Sequence, residues 1–386
     1  MRRALLMLVL LCSVAGAQTD PLDPGRAPNP VRRAVFRAEA AFSKGDVEAA
    51  ARLLTDALAD GPERDHPALR YRLGSYLLEL NRATEALPHL QTASEQAPDS
   101  APVWADLGRA AYETGHHAES AVAFARAHAT MAEPDPVLLY YSGVAWLLAE
   151  QFTEAVDVLA PLVAAVPDTV PREWVQALVS AAAEADQPDR AGNGVARLLR
   201  DHPEARRSWV LASQHSQLLS NAGDAALRLQ VADWLRPLEP RDIKHLADLY
   251  GAAELPRQAA RNYARLWPDN LTLARPLAVA WLQAHEPDSA RVVLESALTA
   301  ETDVALLVLL GDLEFEVERF DAARRAYTRA TTVDAGSGRA WLMQGACGLK
   351  LNDPAGARIA LERARALPQV AAEAGRLLDY LDSAAR

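Results

Sequence analysis

Cysteine is too scarce to hold this chain together. Of the two present, Cys12 lies in an amino-terminal apolar stretch and only Cys347 lies in the body of the sequence, and one thiol makes no internal disulfide. The nine histidines form no HExxH pair and there is no Cys-x-x-Cys, so the familiar zinc arrangements are excluded. His116 and His117, adjacent in sequence, do not face a common ligand and are expected exposed on a turn. No glycine-rich phosphate loop or GxSxG elbow occurs, and no strand pattern would carry either. Basic runs of five or more are also missing and the formal charge is -11. Nonspecific binding to nucleic acid or to an anionic membrane therefore has no electrostatic support. These absences point away from an enzyme and imply no cofactor and no metal.

What is present begins with a leader. Met1-Arg2-Arg3 is a short positive region, Ala4 to Val14 is apolar, and Ala15-Gly16-Ala17 is a small-residue cleavage site. Residues 1–17 thus read as a signal peptide, with cleavage near Ala17 leaving a periplasmic or exported chain. The apolar run falls short of the about 20 residues that cross a bilayer, so an integral membrane protein is not expected. Leu10 and Leu11 before Cys12 lack the small residue of a lipoprotein signal. Residues 18–30 contain four prolines in TDPLDPGRAPNP and no periodicity, and read as a flexible arm.

Half of the residues are hydrophobic, with alanine and leucine dominant and β-branched residues sparse, which favours helix. One pattern recurs ten times about a turn position occupied by Gly45, Asn81, Gly115, Glu150, Asp186, Ser220, Glu254, His285, Glu318 and Asn352, at intervals of 31 to 36 residues. Seven residues before the turn stands a small residue, clearest at Ala38, Gly74, Gly108, Gly143, Ala247, Ala278, Gly311 and Gly345. Five after it stands another, such as Ala50, Ala86, Ser120, Ala155 and Ala323, and nine after it a large apolar one, such as Leu54, Leu90, Phe124, Leu159 and Tyr327. Small residues let antiparallel helices approach closely. Pro62, Pro98, Pro167, Pro203 and Pro237 stop the second helix in several copies. One pair cannot bury both apolar faces, so each must lean on the next. The seventh copy is cut short at Pro268. Val231 to Tyr250 is the least regular stretch, with Trp234 placed after the second helix, and reads either as a bend or as a partner-binding elbow; Trp267 is expected to plug a gap.

Over Val31 to about Pro368 the chain resembles the tetratricopeptide repeat family, whose period and small-large pattern it shares. The resemblance implies an all-α, right-handed superhelical solenoid of about ten helix pairs over residues 31–369. Residues 370–386 form a terminal capping helix that turns Leu377, Leu378 and Leu381 inward. It also implies a concave surface, formed by the first helix of each pair, that holds an extended peptide. First-helix residues directed there are Arg32, Val35, Glu39, Phe42, Tyr71, Ser75, Leu78, Arg109, Tyr112, Tyr140, Val144 and Leu147. The aromatic ones offer anchors at low entropy cost, although Phe42 and Tyr112 read equally as packing between copies. A second surface carries Arg207, Gln214, Gln217, Arg241, Lys244, Asp248 and Arg275, a basic strip suited to a carboxylate-rich partner or an ordinary solvated face. The expectation is an exported scaffold that binds a protein or peptide partner in the cell envelope. The leader and the ending AWLMQGACGLKLNDPAGARIALERARALP look like exported repeat proteins of TonB, ExbB and ExbD systems. The alternative is a carbohydrate- or cell-wall-binding module, with a helical-repeat enzyme a distant third.

Overall fold

The ten turn positions share one backbone conformation. Gly45, Asn81, Gly115, Glu150, Asp186, Ser220, Glu254, His285, Glu318 and Asn352 all have φ between +55° and +83° in the computed structural model, which describes residues 21–384. Each is the left-handed residue that ends a helix. At the first, the Gly45 amide donates to the Phe42 carbonyl at 2.8 Å and the Asp46 amide reaches back to Ala41 at 3.1 Å; at the ninth, Glu318 donates to Phe315 and Arg319 to Glu314 at 3.1 and 2.8 Å. The paired bonds satisfy the carbonyls that a helix end leaves open. Only two of the ten residues are glycine, so eight side chains sit in a region that costs roughly 1–2 kcal/mol each. The next residue starts the following helix, and at Asp46, Asn221 and Asp353 its side chain caps an amide three residues on at 2.9, 3.0 and 2.9 Å.

The described residues are all helix and turn, without strand, and divide into two compact units. The first unit, to Asp201, pairs α1 (Asn29–Phe42) with α2 (Val47–Ala59), α3 (Pro67–Glu79) with α4 (Ala83–Gln96), and α5 (Ala101–Glu113) with α6 (His117–Thr130). It continues with α7 (Pro136–Leu148) and α8 (Phe152–Ala165), then α9 (Arg172–Glu184) and α10 (Gly192–Asp201). The second unit, from His202, holds α11 (Arg206–Leu218) and α12 (Ala222–Leu235), α13 (Pro240–Ala252) and α14 (Pro256–Ala264), and α15 (Ala274–Gln283) and α16 (Pro287–Ala300). After α17 (Val304–Glu316) with α18 (Phe320–Val333) and α19 (Gly338–Lys350) with α20 (Pro354–Arg365), α21 (Ala371–Ala384) closes it. The prolines at 62, 98, 167, 203 and 237 each follow a second helix by two or three residues.

The small-large code has a direct spatial meaning. A Cβ added at Gly74, Gly143 or Gly345 would stand 2.5 Å from Leu90, Leu159 or Leu361, and one at Gly311 would stand 2.5 Å from the Tyr327 ring. The large residue nine after the turn is thus seated against the small residue seven before it, in the same pair. The small residues five after the turn are buried throughout, Ala86, Ala155 and Ala323 completely. Where the seated residue is tyrosine, its hydroxyl passes the backbone and donates to a carboxylate on the first helix: Tyr263 to Asp248 at 2.5 Å and Tyr327 to Asp312 at 2.7 Å. The tryptophans eleven before the turn hook each first helix to the preceding loop. The indoles of Trp104, Trp209 and Trp341 donate to the carbonyls of Pro98, Pro203 and Ala335 at 2.8, 2.7 and 3.0 Å.

Four expectations are changed, those for Trp234, the arm, Val35 and Leu78. Trp234 lies inside α12 and stays 76% exposed, because the helix runs on to Leu235 before a short link to α13. That link is pinned by Asp233, which accepts from the Leu238 amide at 2.9 Å and from both guanidinium nitrogens of Arg265 at 2.7 and 3.0 Å. Within the described part of the arm, Pro24–Arg26 makes a 3-10 turn, and Leu22 and Ala27 are buried. Residues 1–17, read as a leader, lie outside the described residues. Val35 is core and is treated below. In α21, Leu378 and Leu381 are buried and Leu377 packs beside them against Leu342, Leu361 and Ala364.

Candidate partner-binding surface

Within the first unit the first helices approach one another, α1 with α3, α3 with α5 and α7 with α9. Side chains from successive first helices therefore form one surface. The repeat places a residue every turn or so along its margin, and length decides which reach solvent. Val35 does not: it is fully buried with Val31, Ala38, Leu54 and Leu69, so it is removed from the candidate surface. Leu78 is likewise core. Phe42 is 41% exposed and stacks on Tyr76 of α3 at 4.8 Å between ring centres, which joins two pairs and leaves the side chain partly in solvent. Tyr140 of α7 stacks on Trp174 of α9 at 5.7 Å and 15°, while Tyr112 meets the edge of the His117 ring within its own pair. Val144 and Leu147 are half-buried beside Tyr140 on α7.

Charge on this surface is internally paired. The Arg72 guanidinium donates to Glu39 at 2.7 Å, and Arg109 donates to Glu113 at 3.0 Å and lies 3.7 Å from Glu79. Arg32 bonds Asn29 on its own helix. Beneath Tyr71 and Ser75 sits Asp106 of α5, a buried carboxyl. Burial pushes it up to about 6, against the hydrogen bond from Ser75 and the charge of Arg109. Burial, with Asp106 nearby, also raises the Tyr71 phenol, and Tyr71 is more a wall of this polar floor than a free ring. Asp106 and Arg72 were not among the residues expected from sequence. Both stand nine before the turn, where other copies carry Phe36, Tyr141, Ala177, Leu211, His245, Pro276, Leu309 and Met343, so a charged residue at a mostly apolar position was the available signal.

The second unit is built differently. Arg207, Arg241 and Arg275 are exposed and, among the described residues, have no ion-pair or hydrogen-bond partner. Lys244 is neutralised by Asp248 at 2.8 Å, the same carboxylate that accepts from Tyr263. Gln217 bonds the His245 ring at 3.1 Å, and Gln214 is exposed. No group of three or more metal-ligating side chains occurs among the described residues, and none of their helices is long and apolar enough to cross a membrane.

Comparison with known proteins adds a family. Residues 41–107 and 77–135 match one tetratricopeptide repeat family model, and residues 308–371 match a second. No curated protein sequence matches the chain. Among solved structures, YrrB, described as a TPR protein with an unusual peptide-binding site, is 19% identical with a TM-score of 0.38, over 49% of this chain and 95% of its own. Yeast Tom70 is 13% identical with a TM-score of 0.33, over 92% of this chain and 95% of its own. A tetratricopeptide repeat protein from Parabacteroides merdae is 12% identical with a TM-score of 0.30, over 72% and 96%. The matched segments toward both ends are joined by ten turns of one geometry and the seated small-large pairs between them: the chain carries tetratricopeptide repeats.

Proposed function

We propose that this protein is a scaffold of the cell envelope, exported by its leader, that holds an extended segment of a protein partner on the first-helix surface of its first unit. The observation that carries this reading is the presentation of half-exposed side chains, Phe42, Ser75, Tyr112, Tyr140 and Val144, from four successive first helices. A rigid array of this kind offers many modest contacts without ordering itself on binding. Its own charges are already paired, so affinity there comes from aromatic and backbone contacts rather than from net charge. The second unit's unpaired arginines add a place for acidic residues of the same partner or of another.

A photo-crosslinking residue at Tyr140, compared with one at Val122, which is exposed on the second helix α6, tests the surface in living cells. Labelling of a discrete envelope protein at Tyr140 alone is expected; equal labelling from both positions would sink the reading. Amino-terminal sequencing of the fractionated protein tests export, with processing near Ala17 expected. The narrower role, as an accessory of TonB-type energy transduction, rests on the leader and the carboxy-terminal resemblance. Co-purification with TonB, ExbB or ExbD checks it.

A further inference from the structure

The first unit's surface already holds a short segment of the chain itself, the arm, folded as turns and a 3-10 turn around Leu22. Leu22 is buried against Tyr71 of α3, Ala93 and Ala97 at the end of α4, and Val103 at the start of α5. Its carbonyl accepts from Arg72 at 3.2 Å, while Glu39 holds the other side of that guanidinium. A segment that only covered the open end of the array would pack on α1. Ala27 does this, but Leu22 passes beyond to the second and third pairs. The contact is of the kind that recognises a foreign chain, with one apolar anchor in a socket and one bond to main chain that any sequence supplies. Pro21 and Pro24 flank the anchor and reduce the entropy lost on docking.

We propose that residues 21–27 are an intramolecular ligand of this surface, and that a leucine-anchored segment of a protein partner docks in the same socket by displacing them. This rests on the reading of the first unit as a partner surface and states how that surface is occupied before the partner arrives. A short tether gives the arm an effective concentration on the order of millimolar. A competing segment must therefore bind the open socket well below that value.

The test uses a fluorescent peptide of residues 18–30, QTDPLDPGRAPNP, against the full chain with and without Leu22→Asp, with Leu22→Ala as a milder second variant. The peptide should bind the Leu22→Asp chain at least ten-fold more tightly than the unaltered chain. Tyr71→Ala in that background, or Leu22→Asp in the peptide, should remove the gain. Trypsin should cut after the exposed Arg26 at least ten-fold faster in either Leu22 variant than in the unaltered chain. Equal peptide affinity for all chains, binding that survives Tyr71→Ala, or unchanged cleavage at Arg26 would each overturn the proposal. Because the probe is the chain's own segment, such a failure is distinct from failure of the Tyr140 crosslinking, which tests the partner surface itself.

Discussion

The two units use one backbone plan and put different chemistry on it. In the first, aromatic rings stack between neighbouring first helices, Arg72 and Arg109 are paired with carboxylates, and a strap lies in place. In the second, the corresponding helices carry arginines without partners, and tyrosine hydroxyls are tied to carboxylates. The difference arises at the margin of the core. The position ten before the turn is Val35, Tyr71, Ala105, Tyr140 and Gln176 in the first unit and Val210, Lys244, Arg275, Val308 and Leu342 in the second, so cations stand there only in two copies of the second. Long cationic stems cross the apolar edge and deliver charge to water, whereas valine stays inside. Specificity is thus set by side-chain length and charge at a few register positions, while the hairpin itself is left alone.

Glycine seats offer the sharpest way to break one unit and spare the other. Gly74→Val in the first unit or Gly311→Val in the second drives a branched side chain into Leu90 or Tyr327. Each should cost about 3 kcal/mol, read in urea unfolding as early loss of the altered unit's signal only. Asp106→Asn sharpens the comparison through pH. The Asp106 carboxyl stands above its unfolded value of 3.8, at about 6. Its neutral form therefore favours the folded chain below about pH 4, and that contribution is lost as pH rises through about 6. The asparagine variant should be about 2 kcal/mol more stable than the parent at pH 7 and equal to it near pH 4, as denaturation at the two pH values would show. Glu254→Gly, at a turn with φ +57°, should stabilise the second unit by about 1 kcal/mol, seen as a raised thermal midpoint. Smallest of all, Arg207→Ala and Arg241→Ala should change stability by less than about 0.5 kcal/mol. In a titration with a glutamate-rich peptide the same changes should weaken binding and flatten its salt dependence.

The repeat was legible in the sequence because its signals are local and redundant. A small residue, a turn and a large residue at fixed spacings recur often enough that all ten turns could be placed, including eight without glycine. The binding surface was less legible. Val35 was assigned to it because the register names a margin position, and spacing alone does not say whether a short side chain escapes the core. Trp234 was put beyond its helix, which runs on to Leu235. Leu22 was invisible, being a lone leucine among prolines whose socket comes from three helices up to about eighty residues away. Asp106 and Arg72 could have been found by asking which residues violate the repeat, since a copied hairpin has no packing reason to place a charge there.

The left-handed residue that closes every hairpin has a consequence for how such a protein changes over time. Because the reversal is secured by main-chain bonds, a whole hairpin can be duplicated or deleted, and its junctions still close with whatever side chains they inherit. The reach of the array can therefore grow or shrink in unit steps, independently of what any one step displays to a partner.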